Sequence, residues 1–161
     1  MKGVSALLAA LLPVIAYAQG WSVFKSDRFG FSMLVAPGTS WEARDLGDGW
    51  GSIRTQTGVM QFVAIVKLGH FGTAEELETA AVQWTQVPGP LWRKTDEGKK
   101  RNGWKWWRTY EARHDSLGLV LYAVLGTGRR GSYVLFVQTA QADFQANQAL
   151  YAQWYESLTL Y

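Results

Sequence analysis

Cysteine is missing from all 161 residues. Its absence excludes disulfides, thiolate metal sites, a thiol nucleophile and a cysteine-linked lipid anchor. Histidine is scarce, with only His70 and His114 present, and no HExxH or similar cluster supplies converging metal ligands. No apolar run is long enough to span a bilayer. The stretch from Val4 to Leu12 is stopped by Pro13, well short of the roughly twenty residues a spanning helix needs. The G-x-S-x-G nucleophile elbow is lacking, and Asp45 and Asp48 are too sparse for an EF-hand loop. Charge of either sign is modest: 16 Lys/Arg against 13 Asp/Glu leave a net charge of +3. The chain is mildly basic and not polybasic.

What is present describes a folded domain. With 48% hydrophobic and 18% charged residues, the composition argues against disorder. The length allows one ordinary domain, able to bury roughly two-thirds of its unfolded surface without disulfides. Nine tryptophans are the one compositional excess. At the start, Met1-Lys2, the apolar stretch after it and the small-x-small pattern Ala16-Tyr17-Ala18 read as a cleaved signal peptide over residues 1–18. The mature chain then begins at Gln19, and export without cysteine points to a bacterial periplasm or the extracellular space.

No internal repeat or long linker interrupts residues 19–161. Phe29 to Val35 reads as a strand, stopped by a turn at Ala36-Pro37-Gly38. Trp41 to Leu46 reads as a short strand before the glycines at 47 and 49. Trp50–Thr57 and Val59–Leu68 form a hairpin around Gly58. In the second of these strands Phe62, Ala64 and Val66 alternate with Val63 and Ile65, as expected of a central strand covered on both faces. The period changes at Thr73-Ala74-Glu75-Glu76, a capping box that opens a helix ending before Pro88. Glu75, Glu76 and Glu78 are placed there to suit the helix dipole. Leu91–Arg101 and Trp104–Arg113 meet at Asn102-Gly103, the strongest two-residue hairpin signal. That register sets Glu97 opposite Arg108, Lys94 opposite Glu111 and Lys100 opposite Lys105. Leu117–Leu125 and Ser132–Thr139 follow as central strands, and Ala140–Leu158 as a helix with Phe144, Leu150, Tyr151, Trp154 and Leu158 along one stripe. The order predicts an α+β domain, a mostly antiparallel sheet flanked by helices.

Gly126-Thr127-Gly128-Arg129-Arg130-Gly131 matches the dinucleotide-binding pattern. That mechanism needs a helix next, and Ser132 to Val137 reads as a strand, so the glycines serve a hairpin turn with Arg129 and Arg130 at its solvated tip. His114 beside Asp115 is the one catalytic pairing to weigh, as part of a cell-envelope hydrolase. Nothing else supports it, and neither a catalytic residue nor a cofactor is assigned.

The stretch Trp92–Arg113 is the most suggestive. Basic residues alternate there with Trp92, Trp104, Trp106, Trp107 and Tyr110. Alternation along the strand sets Trp104, Trp106 and Tyr110 on the core face and leaves Trp107 outside, its ring over Gly98. The candidate ligand surface is therefore Lys99, Lys100, Arg101, Lys105 and Trp107, suited to an anionic ligand or an unknown protein partner. Nucleic acid fits the same chemistry, but an exported protein rarely meets it.

Phe29-Gly30-Phe31-Ser32-Met33, with Pro37 and Trp41 a few residues on, resembles the opening of PsbP-like domains. That fold is shared with the Ran-binding nuclear import factor and with DcrB-type bacterial periplasmic proteins. The resemblance implies an α/β/α sandwich used as a non-enzymatic binding or assembly module. It carries over no metal or partner site, and the lipid anchor common among bacterial members has no cysteine here. The reading is an exported binding or accessory module.

Overall fold

The computed structural model describes residues 20–37, 40–58 and 60–161. The expected leader over residues 1–18, Gly38 in the expected turn and Val59 at the start of an expected strand lie outside the described residues.

A large sheet organises the domain. Its strands are β3 (Trp41–Gly47), β4 (Trp50–Thr57), β5 (Met60–Leu68), β6 (Trp92–Arg101), β7 (Trp104–His114), β8 (Leu119–Thr127) and β9 (Gly131–Ala140). They run antiparallel in the order β3-β4-β5-β9-β8-β7-β6. A smaller sheet joins β1 (Ser22–Ser26), β2 (Phe31–Val35) and β10 (Thr159–Leu160) in the order β1-β2-β10. Helix α1 (Ala74–Thr85) crosses between β5 and β6, while α2 (Gln141–Ala146) and α3 (Gln148–Ser157) follow β9.

Local chemistry explains these boundaries. Thr73 accepts from the Glu76 amide, and the Glu76 carboxylate accepts from the Thr73 amide at 2.6 Å, so the predicted capping box is complete. Gln86 ends α1 in the left-handed region, two residues before Pro88. Asn102 and Gly103 both have positive φ, 46° and 84°, as a tight two-residue hairpin requires.

The α+β class and the antiparallel meander are as expected, but the layering differs from a helix-flanked sandwich. One face of the large sheet carries α1, whose Leu77 and Ala81 pack against Val63, Ile65, Ala123, Leu125 and Val134 of the strands. The other carries α2 and α3 together with the small sheet, and buries Phe31, Met33, Phe62, Val66, Trp154 and Leu158. Strand β1 gives little signal in the sequence because most of it is exposed, so its apolar alternation is weak. The single C-terminal helix expected over Ala140–Leu158 is broken at Asn147 and stops at Ser157. Beyond it Leu160 donates its amide to the Asn102 carbonyl and Thr159–Leu160 pairs with β2.

Pairing of β6 with β7 sets Glu97 opposite Arg108 as predicted. A bulge between Lys94 and Asp96 shifts the rest by one residue, so Lys94 faces Tyr110 and Arg93 faces Glu111. Lys100 has φ of 56° and no partner in the ladder, which correspondingly removes the expected Lys100–Lys105 pair.

Candidate functional site

The five residues singled out on the β6–β7 hairpin divide between two faces. Trp107 is buried, 7% exposed, on the α3 side of the sheet, where it packs edge-on against Tyr155 at 5.6 Å. The expectation of an exposed Trp107 is thus corrected. Trp104 lies in the same core, whereas Trp106 packs half-buried on the α1 side. Simple alternation fails between Trp104 and Trp106, opposite the irregular backbone at Lys100. Arg101 follows Trp107: its guanidinium pairs with Glu156 and lies over the Tyr155 ring at 5.0 Å.

Lys99 and Lys105 belong to the α1 side. Lys99 lines a shallow cleft with Ala74, Trp106 and Arg108, and the Lys105 ammonium sits 4.3 Å above the ring of Phe71. Phe71 is 52% exposed. The β8–β9 turn lies beside this hairpin end, with Gly128 packed against the Gly103 carbonyl. Arg129 in that turn is exposed. Arg130 is not part of a solvated tip: it donates to the Asp27 and Arg28 carbonyls at 2.9 and 3.0 Å. Among the described residues Lys99, Lys100, Lys105 and Arg129 form no ion pair, although Arg101 does.

A second feature escapes sequence reading. Between α1 and strands β6–β8 opens a cleft of about 380 Å³, lined by Glu78, Ala81, Val82, Trp92, Tyr110 and Leu125 among others. Glu78, expected only to serve the helix dipole, points instead to the sheet. Its Oε1 accepts from Arg108 at 2.8 Å and from the Tyr110 hydroxyl. Burial, and then this bond to Glu78, push the Tyr110 phenol up to about 12. The same carboxylate raises the Arg108 guanidinium above its ordinary value. Arg108 also donates to Glu97 at 3.0 Å, and that partner was legible in the hairpin register. Glu78 was not, because a helix-to-sheet contact across thirty residues of chain leaves no local pattern.

The remaining candidates do not converge. His114 Nδ1 lies 3.1 Å from Ser116 Oγ, but Asp115 accepts from Gln141 at 2.8 Å. His70 stands 3.7 Å from Glu76 at the start of α1. Among the described residues no group of His, Cys, Asp and Glu could hold a metal ion. The glycines of the dinucleotide-like motif do join β8 to β9 in a hairpin.

The opening motif is a packing device. Phe29 is buried, its ring close against Gly51, and its carbonyl accepts from the Tyr133 hydroxyl at 2.8 Å. Trp41 stacks on Phe24 with ring centres 3.6 Å apart. Among solved structures, the chain resembles the cyanobacterial PsbP of Synechocystis with a TM-score of 0.58 at 14% identity, over 88% of this chain and 93% of that one. The fold is PsbP-like. A Pseudomonas aeruginosa protein of unknown function also aligns, with a TM-score of 0.39 at 13% identity, over 86% of this chain and 95% of that one. No family model and no curated protein matches the sequence. At this identity the likeness to PsbP concerns the fold alone. Among the described residues of the PsbP-like domain, no helix is long and apolar enough to cross a membrane.

Proposed function

We propose that the chain is an exported binding or accessory module that engages an anionic partner at one end of its large sheet, without turning over a substrate. The observation that carries this reading is the group of exposed cations Lys99, Lys100, Lys105 and Arg129 around two adjoining hairpin turns. Among the described residues they have no carboxylate partner, whereas Arg101 a residue away has one. Such charges add little to folding, and their field favours a negative surface. A hydrolase built on His114 and Asp115 is less well supported, since the carboxylate that would orient the imidazole is held by Gln141.

Retention on heparin, compared at low and moderate salt, tests the surface. Wild-type protein should be retained and should elute as salt shortens the screening length. The double reversal Lys100→Glu with Lys105→Glu should lose retention while its melting temperature hardly moves. Equal retention of both proteins would remove the hairpin end as a functional surface. For export, intact mass spectrometry of the native protein should give a chain beginning at Gln19. Recovery from the cytosol with Met1 in place would overturn that part.

A further inference from the structure

We infer that the cleft between α1 and the β6–β7 hairpin binds a small organic cation, an ammonium group carried on an apolar body. The inference does not depend on the basic end of the sheet. At about 380 Å³, the cleft lies within the size range of small-molecule sites. Its floor is Leu125 and Ala81, both fully buried. Trp92 and Tyr110 stand on its sheet side with ring centres 6.0 Å apart and planes inclined by 68°. The Trp92 indole N–H is engaged by the Val87 carbonyl at 3.0 Å, and the Tyr110 hydroxyl by Glu78. Both rings therefore offer a ligand their apolar and π surfaces and not their donors.

Glu78 is the one ionisable carboxylate among the lining residues. Arg108 and Tyr110 both donate to its Oε1, and among the described residues Oε2 accepts no hydrogen bond. Arg108 does not cancel the local charge, because it is shared between Glu78 and Glu97. One guanidinium faces two carboxylates, and Lys94 reaches only Glu97, from outside, at 3.1 Å. An anion entering the cleft meets a carboxylate and two aromatic faces. A neutral apolar group gains the walls but leaves Oε2 without a donor. An ammonium on an apolar body uses both, the body packing on the ring faces and the ammonium donating a charge-assisted hydrogen bond to the carboxylate.

Three phenyl-bearing probes of similar size decide the matter: phenethylamine, phenethyl alcohol and phenylacetate, each titrated calorimetrically into the full chain at neutral pH. The amine should bind roughly tenfold more tightly than the alcohol, with phenylacetate weakest. Glu78→Gln, shown folded by circular dichroism, should bring amine and alcohol to equal affinity. Trp92→Ala should weaken the amine and the alcohol alike. The site is refuted if the alcohol or phenylacetate equals the amine in the wild type, if none of the three binds, or if the amine keeps its advantage in Glu78→Gln. The wild-type ranking stands by itself should the Gln variant fail to fold. Because heparin retention reads the opposite end of the charge scale, failure here leaves the basic surface untouched.

Discussion

Trp107 lies across the bare backbone of Gly98, so that a methyl group on Gly98 would come within 2.5 Å of the indole Cζ2. The two residues are paired across β6 and β7, and the contact leaves Trp107 only 7% exposed. Gly98 does not adopt positive φ, so its backbone would accept alanine. Alanine there would ordinarily stabilise the chain by lowering the entropy of the unfolded state. The ring reverses that sign. Gly98→Ala should cost about 1–3 kcal/mol by overpacking, and in a Trp107→Ala background the same change should become neutral or favourable. Denaturant unfolding of the two single variants and the double variant measures the coupling. Additive costs would mean that the ring does not rest on Gly98.

Phe31 and Trp154 test the larger core. Both are wholly buried, one on the small sheet and one on α3. Phe31→Ala and Trp154→Ala should each cost about 3–5 kcal/mol, through the lost burial of the ring and the cavity left behind. Urea unfolding followed by circular dichroism gives the values. Losses under about 1 kcal/mol for both would contradict the packing of that face.

Alkaline pH should act through Tyr110. Its phenol ionises at about 12 in the folded chain and near 10 when unfolded. The folded state therefore holds the proton more tightly. The resulting stabilisation is complete below about pH 10 and is lost as pH rises towards about 12. Tyr155, raised to about 12 mainly by burial, contributes in the same direction. Ultraviolet absorbance of tyrosinate should show late-titrating phenols, and Glu78→Gln should move one of them earlier. A titration curve unchanged by that substitution would separate Glu78 from Tyr110.

The dinucleotide-like glycines should behave as packing positions. A methyl group on Gly126 would approach the Trp106 carbonyl oxygen to 2.1 Å, and two paired backbones cannot part without breaking the β7–β8 ladder. Gly126→Ala should accordingly abolish or severely reduce folding. In the same turn Arg129→Ala should hardly alter the thermal melt, while Arg130→Ala should lower stability by about 1 kcal/mol through its lost bonds to the Asp27 and Arg28 carbonyls. The reverse order for the two arginines would contradict the clamp.

Elements whose signals are local could be read from residue order alone. The Thr73–Glu76 capping box, the Asn102-Gly103 turn and the two-faced alternation of β5 each depend on residues a few positions apart. Backbone sterics and hydrogen bonding act on that scale, so they can be read without the fold. The opening Phe-Gly-Phe-Ser pattern carried the likeness to PsbP because it, too, is a short contiguous run. Which face each hairpin residue occupies depends on contacts far apart in the chain. The bulge after Lys94 and the positive φ at Lys100 disturb the period of two on which facing depends. Arg101 lies towards α3 and Lys99 and Lys105 towards α1, while Trp107 keeps the face opposite Tyr110 and is buried because that face is covered as well. The cleft at Glu78 was beyond the sequence for a different reason. It lies between α1, which packs on β8 and β9, and strands β6 to β8, and the placement of a helix on a sheet is set by the summed packing of distant side chains.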